Sequence, residues 1–209
     1  MNAILHILKS SGRLDELEGH IRSTALEVIP KIEERISLPH VDVVIEDNPK
    51  GAIPETGVGG YAKTAHILVV SIDPKSAYIQ NLQDEIKSTL AHELHHCARM
   101  NLIGYGETLL EALVSEGLAD HFDIEVNGNN PKPWSTALPE DALEKVAEKA
   151  KPEFNNSHYN HSAWFFGSQE NQIPRWAGYS LGFHLVKNYL TKTGKKASEL
   201  VGEPASSFN

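Results

Sequence analysis

Between Thr89 and Arg99 the sequence reads TLAHELHHCAR, with three histidines and a glutamate inside five consecutive positions. The core of this stretch, His92-Glu93-Leu94-His95-His96, satisfies the pattern H-E-x-x-H. On a helix, positions i and i+4 stand one turn apart on the same face, so His92 and His96 can direct ring nitrogens at one zinc ion. Glu93 then sits beside the metal without being forced to ligate it, placed to take a proton from water and pass it to a leaving group. A chain with eleven histidines can produce this motif by chance, so its context decides. Leu82, Ile86, Leu90 and Leu94 recur at helical spacing about half a turn away from His92 and His96, which turns the two histidines away from that apolar stripe.

Catalytic zinc takes three protein ligands and keeps a fourth position open. The stretch LVSEGLADHF offers the third ligand. Glu116 and Asp120 are four apart and share one face of an otherwise apolar helix, where a carboxylate is costly unless it is paired or bound to metal. The short NLIGYG connection between the two helices allows an antiparallel return that brings Glu116 towards His92 and His96. Asp120 then suits a supporting role, accepting a hydrogen bond from the far nitrogen of a ligating histidine. Glu111 and His121 are lesser competitors for the third ligand. His95 reads as non-ligating, because His92 and His96 complete the motif. Cys97 points about 100° away from His96 and reads as a small core residue.

HELHH followed by SEGLAD resembles the gluzincin arrangement, in which HExxH on one helix is joined by a glutamate ligand and an aspartate one turn later on the next. TLAHELHH, ALVSEGLADHF and RWAGYSLGFHLVKNYL together resemble a bacterial YjaZ-like family of zinc-dependent proteases, over about residues 60 to 190. The resemblance implies a zincin-like fold with Zn²⁺ as cofactor and a peptide or protein as substrate. It also implies an edge strand above the active-site helix that pairs with an extended peptide. GGYAKTAHILVVS would supply that strand, so Gly59, Gly60, Tyr61 and Ala62 are the expected substrate-binding residues. Gluzincins stabilise the oxyanion with a tyrosine or histidine from the C-terminal region. Tyr179 is the first choice, with His161, His158 and Tyr159 as alternatives; Tyr179 reads equally as a packing residue, and HYNH as a polar loop.

The expected function is a zinc hydrolase, a metallopeptidase with His92, His96 and Glu116 as ligands and Glu93 as general base. Two rival readings are an amidase or deformylase-like hydrolase, which would call on a cysteine ligand, and a catalytically silent metal-binding regulator. Retention of Glu93 argues against the second, since a structural zinc has no use for a base.

The elements that must position these groups follow from periodicity. Leu14 to Leu38 has helical spacing, with Pro30 expected to kink or divide it. HVDVVIED is a β-branched strand ending at the turn DNPKG, and a glycine-rich approach leads to a second strand over Ala65 to Ile72. Glycines 57, 59 and 60 imply a backbone that turns sharply or lies close to something. Asp73-Pro74 fits a helix start, and the helical pattern runs from about Tyr78 to Met100. Further helices are expected over about Glu107 to Glu125, in LPEDALEKVAEKA and in IPRWAGYSLGFHLVKNYLTKTG, where Gly178 and Gly182 allow close packing. Trp164-Phe165-Phe166 reads as core or cleft wall, and His6, His20, His40 and His66 carry no assigned role. The sum is an α+β, zincin-like single domain over 1–209: a small sheet on the N-terminal side packed on the active-site helix, then a mostly helical C-terminal part.

Composition sets the outer limits. With 209 residues and 40% hydrophobic content, one sizeable core is expected. A net charge of −9 argues against nucleic acid as partner. The single cysteine rules out an internal disulfide framework and suits a reducing compartment. The N-terminal sequence carries no secretory signal pattern, and no apolar run approaches the roughly 20 residues that span a bilayer. A cytoplasmic protein without a membrane partner is the expectation.

Overall fold

A computed structural model describes residues 2–209, and among them the chain is α+β, with one four-stranded sheet and six α-helices. Two compact units divide it, the first reaching Leu102 and the second running from Ile103 to Asn209.

The first unit holds β1 (Ala3–Ile7), α1 (Glu18–Glu33), β2 (Val41–Asp47), β3 (Val58–Thr64), β4 (Ile67–Ile72) and α2 (Leu82–Ile103). The sheet order is β1-β2-β4-β3, with β1, β2 and β4 parallel and β3 antiparallel on the edge. Period-2 alternation puts Val41, Val43 and Ile45 with Leu68, Val70 and Ile72 on the buried face. The apolar stripes of the helices are buried too: Ile21, Ala25, Val28, Ile29 and Ile32 on α1, Ile86, Leu90 and Leu94 on α2. Pro30 lies inside α1 without dividing it; the helix continues through Glu33, and Glu34 N–H reaches the Pro30 carbonyl.

Three local differences from the sequence expectation have physical causes. β1 gives no alternating signal because it is a short edge strand with Ile4 exposed beside buried Ala3. The expected glycine-rich approach is itself β3, joined to β4 through Ala65 and His66, a pair without the Asn-Gly or Asp-Gly signature of a tight hairpin. Asp73-Pro74 starts a turn rather than the helix: Asp73 Oδ1 accepts from Lys75 N–H and Ser76 Oγ from Tyr78 N–H, which diverts the backbone until Leu82.

The second unit is built on α3 (Leu109–Asn127), with α4 (Glu140–Ala150), α5 (His161–Phe166) and α6 (Ala177–Thr193). A capping box formed by Thr108 and Glu111 opens α3, and Gly128 closes it with φ of 68°. α3 and α6 approach closely: a Cβ on Gly117 would stand 2.2 Å from the Gly182 carbonyl oxygen, and one on Gly182 would stand 2.1 Å from that of Leu113. Gly178 instead faces the Phe165 ring. α5 was not expected; Asn160 caps it, and it buries Trp164 and Phe165 while Phe166 stays exposed. No helix among the described residues is long and apolar enough to cross a membrane.

Candidate metal centre

α2 carries His92, Glu93 and His96 with the geometry the motif implies. The Nε2 atoms of His92 and His96 are 3.1 Å apart and the rings meet edge-on at 76°. Two nitrogens bound at roughly 2.0–2.1 Å to one tetrahedral zinc stand about 3.3 Å apart, so this pair needs almost no rearrangement to chelate. Two imidazoles and a carboxylate also make the donor set of a catalytic zinc. His92, His96 and Glu116 form a group able to hold a metal ion, one ligand atom from each lying within 4.8 Å of the others.

Glu93 is held by the edge strand. Its Oε2 accepts the Ala62 N–H at 2.8 Å, a bond between residues 31 apart in sequence. Directly beside it, β3 passes so close to α2 that a Cβ on Gly60 would lie 2.4 Å from Glu93 Cγ and 2.6 Å from Thr89 Cγ2. Only glycine permits this approach. The ladder fixes which main-chain groups of β3 look outward. Gly57 accepts from Asp73 of the neighbouring strand's continuation, whereas the Val58 carbonyl accepts from Ile53 outside the ladder. By alternation Gly59 and Tyr61 face Ser71 and Val69 of β4, and Gly60 and Ala62 face the open edge. Of the expected substrate-binding residues, Ala62 therefore spends its N–H on Glu93, Tyr61 is exposed, and Gly60 presents both its N–H and C=O to the edge.

On α3, Glu116 and Asp120 are both buried. Each receives a hydroxyl: Tyr105 Oη donates to Glu116 Oε1 at 2.9 Å, and Ser135 Oγ donates to Asp120 Oδ2 at 2.6 Å. Neither donor was found in the sequence. The available signal was a hydroxyl-bearing residue in each loop adjoining a helix with buried carboxylates. The competing ligands are otherwise engaged. Glu111 accepts from Glu107 N–H and from both the N–H and hydroxyl of Thr108, and His121 bonds the Phe183 carbonyl while stacking on its ring.

His95 is fully buried and stands outside the metal-binding group. Cys97 is core as expected: its Sγ lies 3.6 Å from the Thr64 carbonyl oxygen, and burial, aided by the Glu93 charge, pushes the thiol up to about 12. A cysteine ligand of the deformylase kind finds no support in that environment.

The oxyanion candidates all lie in the second unit. Tyr179 packs edge-on against Phe165, with Trp134 beyond. Tyr159 and His161 form a hydrogen-bonded pair, Oη to Nδ1 at 3.1 Å, with the imidazole stacked on Phe165. Burial, and then the negative charge of Glu116, raise the Tyr159 phenol. Burial lowers the His161 imidazole, and Glu116 opposes that shift. Both side chains thus lie within electrostatic reach of Glu116. His158 is exposed.

The model of the family described as Predicted Zn-dependent protease (DUF2268) matches residues 21–209. A protein of Bacillus subtilis (strain 168), described as Uncharacterized protein YjaZ, is 27% identical over 130 residues, which cover 59% of this chain and 49% of that protein. The chain thus spans about half the length of the curated relative it matches. No solved structure matches the chain.

Proposed function

From the premise that the chain belongs to this family of predicted Zn-dependent proteases, we propose that it is a zinc metallopeptidase of zincin-like fold, acting on an extended peptide. His92, His96 and Glu116 hold the metal and Glu93 is the general base. The observation that carries this reading is the seating of Glu93. It follows a metal ligand directly, and its carboxylate is clipped to the N–H of Ala62 on the sheet edge where a peptide would bind. A structural zinc would have no need of a carboxylate held in that way.

The chain's own groups supply most of the chemistry. A peptide adds to β3 as a further strand, with its main chain bonded to the outward N–H and C=O of Gly60. Glu93, one oxygen fixed by Ala62, takes a proton from the attacking water and delivers it to the leaving amine. Lewis acidity, supplied by zinc when bound, would lower the pKa of that water and polarise the scissile carbonyl. Asp120, steadied by Ser135, orients a ligating imidazole. The Tyr159–His161 pair, hydrogen-bonded at 3.1 Å and within electrostatic reach of Glu116, joins Tyr179 as a candidate oxyanion donor. Tyr179 backs Phe165, on which His161 stacks.

Metal analysis together with cleavage of a peptide library tests this. About one zinc per chain is expected, lost in His96→Ala and Glu116→Ala. Glu93→Gln should keep zinc and fold while cleavage disappears. Zinc retained by both ligand variants, or undiminished cleavage by Glu93→Gln, would sink the proposal.

A further inference from the structure

The connection between α2 and α3 carries one side chain with a purpose that its length does not require. Tyr105 stands between Gly104, with φ of 83°, and Gly106, with φ of 103°, both in the left-handed region that favours glycine. Gly106 is pressed against Glu111, where a Cβ would lie 2.4 Å from that residue's own Cβ. The Glu111 carboxylate in turn accepts the N–H groups of Glu107 and Thr108 and the Thr108 hydroxyl, while Thr108 caps α3. The segment is therefore pinned to the first turn of α3 at both of its polar residues. From it Tyr105 Oη donates to Glu116 Oε1 at 2.9 Å, reaching a buried carboxylate two turns into the helix.

We propose that Tyr105 is a positioning residue for the metal ligand Glu116: its hydroxyl occupies one carboxylate oxygen and orients the other for the metal. This rests on the ligand set proposed above and adds to it a residue outside the motifs. A glutamate side chain has three rotatable bonds, and a ligand that must be ordered as metal binds pays that entropy out of its affinity. With one oxygen already held, the rotamer is chosen before the ion arrives. The capping box transmits the same constraint, since Glu111 fixes the segment from which Tyr105 reaches. Hydrogen-bond partners behind a metal ligand typically contribute about 10- to 100-fold in metal affinity.

The test is a competition titration of Zn²⁺ against a chromophoric chelator, on wild type, Tyr105→Phe, Glu116→Ala and the double variant. Phenylalanine keeps the ring and deletes one oxygen atom, so the metal-free protein should still fold cooperatively, with its stability lowered only by the lost bond to buried Glu116. Tyr105→Phe should bind zinc about 10- to 100-fold more weakly. In the Glu116→Ala background, where the weak residual binding by His92 and His96 is read at raised Zn²⁺ concentration, the same change should have no further effect, because the residue acts through that carboxylate. The absorption spectrum of the Co²⁺-loaded protein should also differ between wild type and Tyr105→Phe. Wild-type affinity in Tyr105→Phe, or an equal loss with and without Glu116, overturns the proposal. If Glu116→Ala itself binds zinc as wild type does while His96→Ala does not, the ligand assignment fails instead, and the two failures are told apart.

Discussion

Gly60→Ala would add one methyl group at the point where the edge strand crosses α2, beside the proposed base Glu93. That methyl would stand 2.4 Å from Glu93 Cγ, 2.6 Å from Thr89 Cγ2 and 2.7 Å from Glu93 Oε1. Carbon atoms rest at about 3.5–4.0 Å, so relief requires a shift of roughly 1 Å. Two relaxations compete. If Glu93 swings aside, the Ala62 N–H loses its acceptor, which costs about 1–3 kcal/mol, and a base displaced by about 1 Å loses on the order of 100-fold in rate. If β3 lifts instead, the strain falls on its ladder with β4, at about 1–3 kcal/mol. Glu93 is the more compliant partner, since Thr89 Cγ2 is fixed close to the helix backbone. Both routes reduce kcat, and the first does so with zinc content unchanged. Steady-state cleavage, metal analysis and thermal melting on one preparation should show kcat reduced about 100-fold, one zinc per chain, and a melting temperature lower by about 2–4 °C per kcal/mol lost. Gly19→Ala is the control: it lies in α1 with no atom within 4 Å of its added Cβ, and should be neutral or stabilising by up to about 1 kcal/mol. A Gly60→Ala protein with wild-type kcat and melting temperature would refute the contact and the role given to it.

Ser135→Ala strips the hydroxyl from buried Asp120 and should cost about 1–3 kcal/mol of stability, read as a urea midpoint; an unchanged midpoint would show the 2.6 Å bond to be idle. Gly182→Ala drives a methyl to 2.1 Å from the Leu113 carbonyl oxygen, backbone against backbone, so the melting temperature should fall by several degrees. Cys97, its thiol pushed up to about 12, should resist iodoacetamide at pH 8 in the native protein, where roughly one thiol in ten thousand is ionised, and react once urea unfolds the chain. The fold holds that proton more tightly than the unfolded chain does. The thiol's contribution to stability is therefore complete below the ordinary value of 9.0 and is lost as pH rises from there towards about 12. Cys97→Ala should flatten that part of the pH dependence of the urea midpoint.

The parts of the site legible in sequence are those written in the spacing of a single helix. His92 and His96 one turn apart, and Glu116 and Asp120 one turn apart, are visible because 3.6 residues per turn fixes their common face. What holds those groups is not written that way. The Ala62 bond to Glu93 spans 31 residues, and Tyr105 reaches Glu116 from a loop whose only local signs are two flanking glycines. The same division runs through the fold. Long periodic segments such as α2, α3 and α6 appear close to where they are expected, whereas α5 is too short to establish a period and β1 exposes and buries apolar residues alike.

Glycines 57, 59 and 60 show how far a local signal can be taken. The sequence states only that the chain turns or lies close to something there, and three different causes answer. Gly57 has φ of 75° and makes the turn that starts the hairpin; a Cβ on Gly59 would meet the Gly51 carbonyl oxygen at 2.2 Å; Gly60 clears Glu93. The last is the one that bears on chemistry. A glutamate following a metal-binding histidine is free about three torsions and becomes a general base only when something fixes it. The same few residues that lack side chains on β3 let the strand descend far enough for Ala62 N–H to do so. They also leave the Gly60 main chain open at the edge where a peptide would lie. Closeness of strand to helix thus serves the proposed base and the proposed substrate platform together, and a side chain at position 60 would disturb both at once.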